Sequence, residues 1–268
     1  MTLTTLRLSE VGQKVTYRAR GSGEPLVLIH GVGMQSAAWE PQIEHFATSH
    51  LVIALDMPGH GGSDPLPAGS PLPAFVIWAK RVIRALGLGP VNLVGHSMGA
   101  LIVGGLAATR QDLVTRAALL NGVFRRDPVA KAAVVARAAE IRAGKVDLET
   151  PLSRWFEKDE SQARALVATW LTAVDPSSYA TAYAAFAEGD ATYADQYSDI
   201  ACPFVAITGD GDPNSTPAMA QKMASLAQSG CAVTIKGHRH MVNLTAADDV
   251  NAHLQDWLKQ PARPKELQ

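Results

Sequence analysis

Cysteine is scarce in this chain, with only Cys202 and Cys231 among 268 residues. Neither stands in CxxC or mixed Cys/His spacing, which points away from a disulfide framework and from a thiolate metal site. Both are expected to be reduced, half-buried packing residues. Excess charge is lacking too: Lys plus Arg number 24 against 25 Asp plus Glu, a net of −1. With no run of five basic residues, the electrostatic footprint of a nucleic-acid binder is missing. The most apolar stretch, Ala100–Ala108, is too short to span a bilayer and is interrupted by Gly104 and Gly105. The opening MTLTTLRLSE has neither the basic patch nor the apolar run of a secretory signal. The expectation is a cytoplasmic protein with no nucleic acid, membrane, metal or cofactor as partner.

What the chain has is apolar bulk, 47% of its residues. At about 150 residues per domain, that suits one large core with an insertion. Strand-length runs occur at Thr5–Leu8, Val15–Arg18, Leu26–His30, Leu51–Leu55, Val91–Val94, Ala117–Leu120, Phe204–Thr208 and Ala232–Ile235. From the third onward they are continuous apolar blocks, the pattern of parallel strands covered on both faces. Between them lie segments of helical spacing at Ser36–Thr48, Leu72–Leu86, Met98–Thr109, Thr216–Gln228 and Ala246–Leu258. Alternating strand and helix predicts an α/β fold with a mostly parallel, eight-stranded central sheet flanked by helices. Gly87 is a helix stop, and Pro261 and Pro264 end the last helix near Leu258, leaving a frayed tail to Gln268.

Residues 123–200 break the alternation, being rich in Ala, Arg and aromatics without a convincing strand. They read as a helical cap (lid) inserted into a core made of 1–122 and 201–268, with helices over Pro128–Arg142, Gln162–Ala173 and Ser177–Phe186.

The strand VNLV runs directly into Gly95-His96-Ser97-Met98-Gly99, and an apolar helix follows. G-x-S-x-G alone is a weak signal; between a strand and a helix it is a strong one. It presents a serine hydroxyl above the carboxyl edge of the sheet, where open α/β sheets place ligands. A serine needs a base, itself oriented by a third group. Asp210 and Asp212 follow one later strand, and His238 and His240 follow the next. The Met98 N–H, at a helix N-terminus just after the nucleophile, is one candidate oxyanion donor.

These features resemble the α/β-hydrolase superfamily over nearly the whole chain, with an implied α/β-hydrolase fold. The resemblance implies Asp212 as the triad acid and His240, followed by Met241-Val242, as the base. Arg239 then stands where the family usually has Gly, which keeps His238 in competition. The turn His30-Gly31-Val32-Gly33 resembles the family's His-Gly-x-Gly turn and implies Val32 as the second oxyanion donor. Asp56-Met57-Pro58-Gly59-His60-Gly61-Gly62-Ser63 resembles a structural turn of the family, with Asp56 capping backbone N–H groups.

A serine nucleophile points to acyl transfer to water. The resemblance is to small-substrate carboxylesterases and enol-lactonases, implying a small-molecule ester or lactone substrate. Trp39, Arg125 and Trp155 are the candidate substrate-binding residues, with Trp170, Tyr179, Tyr183 and Phe186 as further wall candidates. Arg125 and Arg126, where the lid begins, are candidates to bind a substrate carboxylate or, equally, a solvated pair on a loop. Carbon–carbon bond hydrolysis of a vinylogous diketone is the alternative, disfavoured because such relatives usually carry Asn where His96 stands. A ligand-binding receptor with little turnover is another. The oligomeric state stays open, a homodimer included.

Overall fold

All eight strand-length runs form strands. The structure, a computed structural model, describes residues 3–145, 147–157 and 160–262. Its strands are β1 (Leu3–Arg7), β2 (Lys14–Arg20), β3 (Glu24–Ile29), β4 (His50–Leu55), β5 (Val91–His96), β6 (Val114–Leu120), β7 (Phe204–Gly209) and β8 (Gly230–Ile235). They form one eight-stranded sheet in the order β1-β2-β4-β3-β5-β6-β7-β8. Only the β1–β2 and β2–β4 pairs are antiparallel. The other pairs are parallel, as the continuous apolar runs from β3 onward require.

The helices are α1 (Glu40–Phe46), α2 (Leu72–Ala85), α3 (Met98–Thr109), α4 (Pro128–Arg142), α5 (Glu149–Trp155), α6 (Ser161–Ala173), α7 (Pro176–Glu188), α8 (Pro217–Leu226), α9 (Val242–Thr245) and α10 (Ala247–Leu258). Alternation along β3 divides the core. Val27 and Ile29 join the layer that includes α2, α3 and α8, while Leu26 and Leu28 join the layer of α1 and α10. α3 is buried along almost its whole length, which explains why its sequence is apolar all round.

Helix α2 stops as expected, with Gly87 at φ +67° just beyond its end. The single helix expected over 36–48 is instead a 3-10 turn at Ser36–Trp39 followed by α1. Pro41 has no N–H and fits only in a first turn, so it starts a helix rather than lying inside one. Cys202 is buried, whereas Cys231, on the edge strand β8, is exposed rather than half-buried. The tail 263–268 lies outside the described residues. Between β6 and β7 the chain forms α4–α7, one helix more than the three segments marked out in the sequence. Among the described residues, no helix is long and apolar enough to cross a membrane.

Candidate active site

Parallel strands end at one edge of the sheet, and the loops that leave β3, β5, β6, β7 and β8 there carry the polar residues of the site. After β5 the chain turns sharply: Ser97 has φ +54° and ψ −112°, a conformation that costs energy in any residue with a Cβ. Its flanking glycines are required by contact, because a Cβ at Gly95 would overlap the Gly99 carbonyl and one at Gly99 would overlap the Ile29 carbonyl.

Asp212, after β7, and His240, after β8, meet at this edge. His240 Nδ1 lies 2.7 Å from Asp212 Oδ2, and both side chains are almost completely buried. Burial alone would push the Asp212 carboxyl up. Instead it is held below the usual carboxylate range by the charge and hydrogen bond of His240, the Asn214 N–H and the Asn121 amide. The competing residues are engaged elsewhere. Asp210 accepts the Gly237 N–H at 2.8 Å and serves the turn. His238 Nδ1 lies near Glu160 Oε1 (3.1 Å) and Thr245 Oγ1 (3.0 Å).

Ser97, His96 and His240 line one cavity of about 380 Å³. Gly31 and Val32 form part of its wall, as do Trp155, Tyr179, Tyr183 and Phe186. The Met98 side chain is buried in the core, which leaves its backbone N–H at the first position of α3. Among the described residues, the N–H groups of Val32 and Met98 meet no protein acceptor. Burial, then the neighbouring His240, pushes His96 down to about 3. As a neutral ring it donates from Nε2 to the His240 carbonyl at 2.8 Å.

The turn after β3 is pinned from below by two more buried, neutral histidines. His60 Nε2 accepts the Gly33 N–H at 3.0 Å, and His30 Nε2 accepts the Met57 N–H at 2.9 Å. Asp56 accepts the Ser36 N–H and the Thr16 hydroxyl, each at 2.6 Å.

Two expected substrate contacts are corrected. Trp39 is fully buried in the α1/α10 layer, across the sheet from the cavity, because the 3-10 turn directs it into that core. Arg125 has φ +43° and pairs with Asp195 outside the cavity. The left-handed turn at Arg125 places the next residue, Arg126, in the cavity wall instead. There the Arg126 guanidinium lies 4.5 Å over the Phe186 ring, 3.6 Å from Asp190, with Nη2 buried and unpartnered. Trp155 does line the cavity and stacks on His240.

Other residues of the site escaped the sequence reading. Arg137 of α4 and Arg154 of α5 also reach the cavity wall, where Asp127 is the one acidic side chain among the described residues. Asn121, at φ +48° just after β6, donates from Nδ2 to Asp212 Oδ2 at 2.8 Å and to the Arg239 carbonyl at 3.1 Å. An Asn-Gly step leaving a strand at the carboxyl edge was the available signal. Among the described residues, no three His, Cys, Asp or Glu side chains gather to hold a metal ion.

The pattern of the alpha/beta hydrolase family matches residues 26–253. The (E)-2-((N-methylformamido)methylene)succinate hydrolase of Acinetobacter baylyi is 53% identical over 257 residues, covering 95% of this chain and 97% of that protein. A thermophilic esterase from Thermogutta terrifontis superposes with a TM-score of 0.86 at 21% identity, covering 96% of this chain and 98% of its own. The enol-lactonase of Burkholderia xenovorans gives 0.83 at 24% identity, covering 92% and 97%. These two structures share the fold.

Proposed function

The chain belongs to the α/β-hydrolase family, and from that premise we propose that it cleaves an acyl bond of a small dicarboxylate through a covalent acyl-enzyme on Ser97. The observation that carries this reading is that His240, bonded to the buried Asp212, lines the same cavity as Ser97. His240 takes the Ser97 proton as the hydroxyl attacks, and Asp212 fixes the ring tautomer and stabilises the imidazolium. The Val32 and Met98 N–H groups receive the developing oxyanion, each contributing roughly 3 to 4 kcal/mol. The 123–200 segment acts as the cap that closes the acyl pocket.

The cavity wall supports a carboxylate-bearing substrate. Arg126, Arg137 and Arg154 share the cavity wall with one described carboxylate, Asp127, whose Oδ1 is already taken by the Val129 and Ala130 N–H groups at the start of α4. Away from the cavity, Arg126 lies 3.6 Å from Asp190 and Arg137 pairs with Glu140. Guanidinium groups pair with carboxylates through two parallel N–H bonds. The compound named for the Acinetobacter relative carries two carboxylates and an N-formyl enamine. The identity with that protein, spread over nearly the whole chain, supports such N-acyl enamines as the substrates here.

In such a compound Ser97 Oγ bonds to the formyl carbon and the C–N bond breaks. The nitrogen keeps the electron pair, spread through the adjacent double bond toward the conjugated carboxylate, and His240 returns the proton to it. Water, activated by the same ring, then cleaves the formyl ester to formate and free Ser97. Esters and lactones use the same steps with oxygen leaving.

The test is a fluorophosphonate label on Ser97 together with formate release from (E)-2-((N-methylformamido)methylene)succinate. Labelling plus multiple turnovers, both abolished in Ser97→Ala, is the expected result. An unlabelled protein, or one that binds the compound without releasing formate, overturns the reading.

A further inference from the structure

Position 239 departs from the glycine that the family resemblance implies, and the arginine there is not idle. Its Nε donates to Glu157 Oε1 at 2.6 Å, its Nη2 to Glu157 Oε2 at 3.2 Å and its Nη1 to the Ser153 carbonyl at 3.0 Å. This is a two-pronged ion pair plus a third bond, the geometry in which arginine is least replaceable by lysine. The residues on either side reach the same stretch of chain. His238 contacts Glu160, and the His240 N–H donates to the Trp155 carbonyl at 3.2 Å. Three consecutive residues of the loop after β8 thus hold the chain running from the end of α5 to the start of α6.

The opposite side of that loop is fixed as well. Asn121 holds the Arg239 carbonyl, and the Gly211 N–H donates to the His238 carbonyl at 3.0 Å. A Cβ at Gly209 would overlap both carbonyls, so the two loop backbones touch there. The His240 loop is therefore clamped between the Asp212 loop and the α5 segment.

We propose that Arg239 is a positioning residue: through Glu157 and Ser153 it locks the end of α5 onto the His240 loop, so that the Trp155 ring and the imidazole it stacks on move as one unit. This rests on the reading of His240 as the base. With glycine at 239 the α5 segment would lose the Glu157 and Ser153 bonds and keep the Glu160 contact, the backbone bond from His240 and the unbraced Trp155 stack. The imidazole would then lose the fixed wall that keeps it in line with both Asp212 and Ser97. Errors of an ångström in such an alignment cost about a hundredfold in rate.

The experiment compares Arg239→Gly, Arg239→Lys and Glu157→Gln with wild type, reading kcat and KM for (E)-2-((N-methylformamido)methylene)succinate. It also reads the low-field proton resonance of the His240 Nδ1–H bonded to Asp212. Arg239→Gly and Glu157→Gln should lower kcat by about tenfold to a hundredfold with KM changed less than about threefold, and should broaden the resonance. Arg239→Lys should fall between them and wild type. Glu157 is half-exposed, so its variant gives the answer even where Arg239→Gly fails to fold. Wild-type kcat and a sharp resonance in Glu157→Gln overturn the proposal. Full turnover by Ser97→Ala would instead sink the reading beneath it, and the resonance, which does not involve the serine, still judges the latch.

Discussion

Trp155 meets His240 twice: its carbonyl accepts the His240 N–H at 3.2 Å, and its indole stacks on the imidazole with centroids 5.5 Å apart and planes 27° from parallel. Replacing the ring leaves the backbone bond and removes the stack together with a piece of the cavity wall. Trp155→Ala should lower kcat by about tenfold or more, whereas Trp155→Phe should retain most of it, because a flat ring still restrains the imidazole. Steady-state kinetics of the two variants check this, and equal losses would show that the stack is immaterial.

Arg126 presents a buried, unpartnered Nη2 at the cavity wall. Arg126→Gln should raise KM for the dicarboxylate by about tenfold to a hundredfold, the range of one charge-assisted hydrogen bond. Turnover of uncharged p-nitrophenyl acetate should change little. A matched loss on both substrates would point to a collapsed pocket.

Asn121 is the amide that joins the Asp212 carboxylate to the Arg239 carbonyl. Asn121→Ala leaves both acceptors short of a donor in a buried place, at a cost of about 1 to 3 kcal/mol in stability. Asn121→Asp sets a second carboxylate against Asp212 and should reduce kcat/KM further than the alanine does. Urea unfolding and kinetics on the two variants separate the effects.

His60 and His96 are pushed by burial to about 4 and about 3, and His30 goes well below its ordinary value for the same reason. A depressed histidine favours the folded state only while neutral. Stability should therefore be fully present above pH 6.5, the unfolded value, and be lost as pH falls toward 4. His60 alone accounts for on the order of 3 kcal/mol of that loss. The chemical reason is local: Gly33 N–H already fills His60 Nε2, and Nδ1 lies 3.0 Å from the Pro58 carbonyl, so an added proton has no acceptor. Thermal melts across this range should show a steep acid limb, shallower in His60→Gln.

Gly99 abuts the Ile29 carbonyl so closely that a methyl group cannot fit without moving β3 or α3. Gly99→Ala should destabilise by about 3 kcal/mol and displace the Ser97 turn. Gly144→Ala is a useful contrast: nothing lies near its Cβ position, and only its positive φ opposes the change. A normal urea midpoint for Gly99→Ala would show that the turn relaxes easily.

The sheet was legible because burial on both faces writes itself as unbroken apolar runs, a mark that β3 to β7 carry, whereas the edge strand β8 is largely exposed and only its last residue, Ile235, is buried. The turn at Ser97 was legible because close packing leaves only glycine at 95 and 99. The sequence left Asp210 beside Asp212 and His238 beside His240, since two residues apart on a loop gives no clue to direction. Their contacts differ: the Gly237 N–H occupies Asp210 and Glu160 engages His238, while Asp212 and His240 bond each other. The arginines were half-legible. Periodicity places Arg137 on a helix, but not against the cavity, and marks no helix around Arg154; the left-handed turn that exchanges Arg125 for Arg126 has no signature in residue type. Trp39 was misplaced because an aromatic residue two positions before a proline looks alike whichever layer receives it.

His96 and His240 touch although 144 residues of chain separate them, and the other polar groups at that edge arrive on loops just as scattered. No excised stretch holds a partial version of the centre. Turnover should therefore vanish at the same denaturant concentration as the far-ultraviolet dichroism, making the reaction itself a gauge of whether the entire sheet has assembled.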